Sequence, residues 1–136
     1  MKTTSLFLIL LFSATSSFAQ NKMSLVGTWK LISGKMMYGD STYPFDNKTL
    51  DAIKIVTPTH FAVISQYVSD SSLEHAASGT VQMDDKNYTE QYMYGSFKEF
   101  TGKALKFTYR IEGDKWYYKG GIENMIWDEV WQRVSK

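Results

Sequence analysis

The side chains of this chain that could do chemistry are few. It has two histidines, His60 and His75, and no cysteine. Glu90 and Glu129 stand on runs that alternate like strands. Histidine titrates near neutrality and a carboxylate can orient its ring, so His60 with Glu90 is the one pairing suited to general acid–base work. The histidines are fifteen residues apart with no third ligand at metal spacing, and no metal site is expected. There is no Gly-x-Ser-x-Gly elbow, P-loop or dinucleotide fingerprint. No catalytic residue and no cofactor are therefore assigned.

The other chemistry is recognition. Tyr88, Glu90, Tyr92 and Tyr94 share one face of their run, and Trp127, Glu129, Trp131 and Arg133 share one face of theirs. A few fixed polar groups among aromatic rings is the make-up of a small-molecule pocket. Trp29, His60, Tyr88, Glu90, Tyr92, Glu129 and Trp131 are the candidate lining residues. The competing reading puts both glutamates in solvent, or pairs them with Lys54, Lys106 or Arg133. Parity sorts residues into two faces without saying which is inward, and one bulge reverses the assignment.

Such side chains must be held by strands. Short alternating runs separated by turn signals fill the chain: 27–39, 51–57, 60–68, 79–83, 87–95, 104–112, 115–120 and 126–134. Residues 41–47, with Pro44 and Asp46-Asn47, read as a loop, as does the polar stretch 69–78. The connection 96–103 has room for one helical turn ending at Gly102. Pro58-Thr59 and Gly113-Asp114 read as tight turns. No segment supplies the helix that a parallel crossover needs. Eight hairpin-linked strands close into an up-and-down barrel or split into a sandwich, and an eight-stranded barrel has room for one small ligand.

The first nineteen residues read as a signal peptide: Lys2, the apolar run Leu6–Phe12, and Ser17 and Ala19 before the cleavage point. The apolar run is shorter than the roughly 20 residues of a membrane helix. Residues 20–136 then form one domain of an exported protein, periplasmic or secreted. Without cysteine it has no disulfide and no lipidated cysteine, so its core alone must hold it. Without Lys2, 14 basic residues face 14 acidic ones and no polybasic run exists, which disfavours nucleic acid as a partner. Aromatic residues make up 15% of the chain, which suits strands and cavity walls alike.

In a closed meander the first and last strands are neighbours. Trp29 lies near the start of one and Arg133 near the end of the other, so antiparallel pairing brings them together. A guanidinium over an indole face contributes roughly 0.5–2 kcal/mol. This pair would latch the seam and stopper one end. "GTWKL" at 27–31, "THFAVIS" at 59–65, "YTEQY" at 88–92 and "VWQRV" at 130–134 resemble, in order and spacing, the small secreted bacterial lipocalin-like domains. The resemblance spans nearly all of residues 20–136. It implies a calycin-type barrel with a ligand cavity. The chain departs from typical lipocalins in being shorter, in lacking disulfides and the middle "TDY", and in having no long helix before its last strand.

The expectation is an all-β, eight-stranded antiparallel up-and-down barrel, monomeric or weakly dimeric, that binds a small hydrophobic or aromatic molecule in its lumen. Two other readings stand beside it: a barrel enzyme of isomerase or lyase type, and a filled barrel that acts through its surface.

Overall fold

A computed structural model describes residues 24–135. The proposed signal segment, 1–19, lies outside them. Nine strands follow one another: β1 (Gly27–Tyr38), β2 (Ser41–Asp46), β3 (Leu50–Val56), β4 (His60–Tyr67), β5 (Leu73–Met83), β6 (Asn87–Gly95), β7 (Ala104–Glu112), β8 (Lys115–Ile122) and β9 (Met125–Ser135). One 3-10 turn, Lys98–Phe100, interrupts them before β7. No helix of the described residues is long and apolar enough to cross a membrane.

Nine strands make eight staves. β3 lies beside the first part of β1, from Gly27↔Val56 to Lys30↔Ile53. β2 lies beside the rest, from Ser33↔Asp46 to Tyr38↔Ser41. The two are one stave broken at residues 47–49, where the Lys48 amide donates to Asp46 Oδ1 (2.9 Å) and the Thr49 amide to the Asp46 carbonyl (3.0 Å). The remaining strands pair in sequence order, all antiparallel. β9 returns to β1 from Thr28↔Ser135 to Tyr38↔Met125, with two irregularities, and closes the barrel. Closure leaves no long edge for another chain to pair with.

Two segments read as loops are strands. Ser41–Asp46 is β2 despite Pro44, because β2 pairs only with β1 and a missing amide is tolerated on an edge. Leu73–Ser78 belongs to β5 and pairs with β4 from Gln66↔Leu73 to Ala62↔Ser78. Its polar, alanine-rich composition carries little alternation, but closure demands a partner along the whole of β4. The turns at 57–59, 84–86 and 113–114 gather at the end where β1 starts and β9 finishes. The longer connections at 68–72 and 96–103 gather at the other end.

The first of these ends is packed solid. Trp29, Trp116, Tyr88, Leu25 and Val56 are among its fully buried side chains. The Trp29 and Trp116 rings meet edge-on at 5.3 Å between centroids, and Tyr88 and Trp116 at 5.1 Å. Such contacts add about 0.5–1.5 kcal/mol each to the area they bury. Trp29 Nε1 donates to the Leu25 carbonyl at 2.9 Å. The Arg133 guanidinium lies 4.0 Å from the Trp29 ring centroid. Its Nη1 donates to the Val26 carbonyl at 2.9 Å and its Nη2 to the Ser24 carbonyl. The seam thus carries the predicted indole–guanidinium contact, and two carbonyls of the entering chain fix the cation over the ring.

Candidate functional site

Above this packed layer the interior turns polar. Lys54 on β3, Glu90 on β6 and Glu129 on β9 all point inward and are 3%, 5% and 9% exposed. Burying a lone charge costs several kcal/mol, so such groups persist only when paired and hydrogen-bonded. Lys54 Nζ donates to Glu90 Oε1 at 2.8 Å and to Tyr118 Oη at 2.9 Å. Tyr88 Oη donates to the same Glu90 oxygen at 2.9 Å. Tyr118 Oη passes its proton-bearing bond to Glu129 Oε2, which also accepts from Trp131 Nε1 at 2.9 Å. Lys54 Nζ lies 4.8 Å from the Tyr118 ring centroid and 5.2 Å from that of Trp131, so aromatic faces share in holding its charge.

A cavity of about 110 Å³ opens over this network. Lys54, Glu90, Tyr118, Glu129 and Trp131 form its floor; Tyr92, Leu105 and Phe107 line its wall; Glu74, His75, Phe97, Phe100 and Trp127 frame its mouth. The connection 96–103 supplies two of the mouth residues. There the Phe97 amide donates to Tyr92 Oη at 3.1 Å. Tyr92 crosses so close to Gly95 that a Cβ there would lie 1.9 Å from its hydroxyl, so only glycine fits. His75 stacks on Phe97 with centroids 4.8 Å apart, and its Nδ1 meets Ser96 Oγ at 3.1 Å.

Burial sets the ionisation of these groups. It pushes the Glu129 carboxyl up, while Lys54 and the bonds from Tyr118 and Trp131 act the other way. Tyr88 and Tyr118 are held well above their ordinary range by burial, each beside a carboxylate. They therefore act as neutral donors. Burial lowers His75 and favours its neutral ring. Among the described residues no group of three or more His, Cys, Asp or Glu side chains could hold a metal ion.

Of the residues singled out from sequence, Glu90, Tyr92, Glu129 and Trp131 line this cavity. Tyr88 lies beneath it and braces Glu90, and Trp29 sits in the packed end. His60 is a correction: it is exposed at the start of β4, with Nδ1 against Thr59 Oγ1 at 2.8 Å. On β4 it is Phe61, Val63 and Ser65 that are buried, so His60 and Glu90 lie on opposite sides of the wall and form no acid–base pair. Among the unforeseen members are Lys54, Glu74, His75, Phe97, Phe100, Tyr118 and Trp127. Lys54 had one signal, as a possible partner of Glu90, and that is the partner it takes.

Fold and site together define a closed antiparallel β-barrel, solid at one end and hollow over a buried charged network at the other. No family model matches the chain, and neither a curated protein nor a solved structure matches it.

Proposed function

We propose that this protein is an exported, lipocalin-like binder that holds one small molecule in the cavity over Lys54, Glu90 and Glu129. The observation that carries the reading is the cavity itself: about 110 Å³ of space with an aromatic mouth and a buried polar floor. Drug-sized ligands occupy pockets of roughly 300–1,000 Å³, so the ligand is smaller, on the scale of a single ring. It is also less uniformly apolar than composition suggested, since it must meet carboxylates. The signal-like segment at 1–19 supports a periplasmic or secreted location. Native mass spectrometry of protein from its own host tests the reading. The parent should retain a small molecule. Ala77→Phe, which fills the cavity from β5, should not, although its circular dichroism stays that of the parent. Empty parent protein, together with no response of its tryptophan fluorescence to a small-molecule panel, counts against a binder.

A second reading, a module acting through its surface, is favoured by a different observation. Ile53, Ile55 and Ile64 are exposed on the outer wall of β3 and β4, where Ile53 faces Ile64 across the ladder. Exposed apolar clusters often mark interaction sites.

A further inference from the structure

We infer that the molecule taken by this cavity is a small organic cation: a protonated amine bearing one compact apolar group. The inference rests on the cavity being a binding site and goes on to name the ligand's charge. Three carboxylates line the space, Glu74, Glu90 and Glu129, against one ammonium, Lys54. His75, held toward its neutral form by burial, does not redress the balance.

The single lysine is already committed. Its contacts go to Glu90 Oε1 and to Tyr118 Oη. Glu129 Oε2 takes the protons of Tyr118 and Trp131, while Glu129 Oε1 and Glu90 Oε2 accept no hydrogen bond from any described residue. An ammonium entering from the mouth meets these two free acceptors. Its apolar part is left against Trp127, Phe100 and Leu105. The rings add to the selection, because aromatic faces attract cations, as they do for Lys54. A carboxylate ligand would meet like charges in a poorly solvated site. A neutral one would leave a buried acceptor unanswered.

Titration must follow the same chemistry. The titratable and charged groups that share the cavity with Glu129 are Lys54 from β3, Glu74 and His75 from β5, Glu90 from β6 and Tyr118 from β8, and Trp131 on its own strand donates to it. A cation favours the ionised carboxylate, so its binding displaces a proton from Glu129 and strengthens as pH rises through the raised titration range of that carboxyl.

Calorimetric titration of the full-length exported protein with benzylammonium, benzyl alcohol and benzoate is the test. Benzylammonium should bind at least about tenfold more tightly than benzyl alcohol, and benzoate should not bind. Glu129→Gln keeps the acceptor for Tyr118 and Trp131. It should cost benzylammonium about tenfold and benzyl alcohol much less, so that the preference for the cation narrows. In the parent, only the benzylammonium affinity should climb with pH, a result that needs no variant to fold. Equal or tighter binding of benzyl alcohol or benzoate overturns the cation while leaving a binder. Binding of none of the three overturns the cation, and empty host-purified protein then removes the binding reading as well.

Discussion

Removing the guanidinium that caps the packed end should weaken the fold and spare the cavity. Arg133→Ala deletes a cation 4.0 Å from the Trp29 ring centroid, a contact of about 0.5–2 kcal/mol. It also deletes the donors to the Val26 and Ser24 carbonyls. Hydrogen bonds to charged groups contribute about 1.5–3 kcal/mol each, but both carbonyls stand at the barrel end, where water can replace part of the loss. The Arg133 side chain is only 9% exposed, so solvent screening of the remainder is modest. The expected loss is about 2–4 kcal/mol. For a domain of this size about 1 kcal/mol moves the melting temperature by roughly 4 °C, which gives a fall of about 8–16 °C. Calorimetry reads the shift. A double-mutant cycle with Trp29→Leu should isolate a coupling of about 0.5–2 kcal/mol. Neither residue lines the cavity, so ligand affinity should hold. An Arg133→Ala protein melting within about 2 °C of the parent, or a cycle with no coupling, would show that the seam closes without this contact.

Two further outcomes concern the buried network. Lys54→Met strands Glu90 without its cation and should cost about 3–5 kcal/mol in urea unfolding, whereas Lys54→Met with Glu90→Gln should recover most of that loss; a double variant no better than the single one would show that the ion pair is not what the fold needs. Glu129 is held above its ordinary 4.5 by burial, so between 4.5 and its raised value the folded state binds more protons than the unfolded. Its contribution therefore makes stability fall as pH rises through that window, and Glu129→Gln should flatten this part of the urea-midpoint profile; an unchanged slope would place the titration elsewhere.

Much of the barrel is legible in the chain because strand alternation needs only nearest neighbours. Tyr88, Glu90 and Tyr92 on β6, and Leu105 and Phe107 on β7, alternate clearly and are buried together. Parity fails where chemistry and geometry disagree. On β3, hydrophobicity alone would turn Ile53 and Ile55 inward and Lys54 outward. The structure does the reverse: Ala52, Lys54 and Val56 are buried, and Ile55 is 45% exposed. The lysine can be inside because Glu90 and Tyr118, 36 and 64 residues further along the chain, meet it there. His60 and His75 trade places for a related reason. The residue expected in the lumen stands outside, and the one placed in a loop reaches the cavity mouth on β5.

Read alone, the chain determined that short antiparallel strands would follow one another, with Trp29 near the start of the first and Arg133 near the end of the last; that these two strands meet is decided by closure. Local alternation, turn residues and the lack of any crossover helix are enough for that. Only the tertiary structure decided which side of each strand is interior, that two loop-like segments complete the staves, and that a lysine and two glutamates share one buried site. Facing and pairing follow from closure, which joins residues far apart in sequence, and no local pattern carries that information.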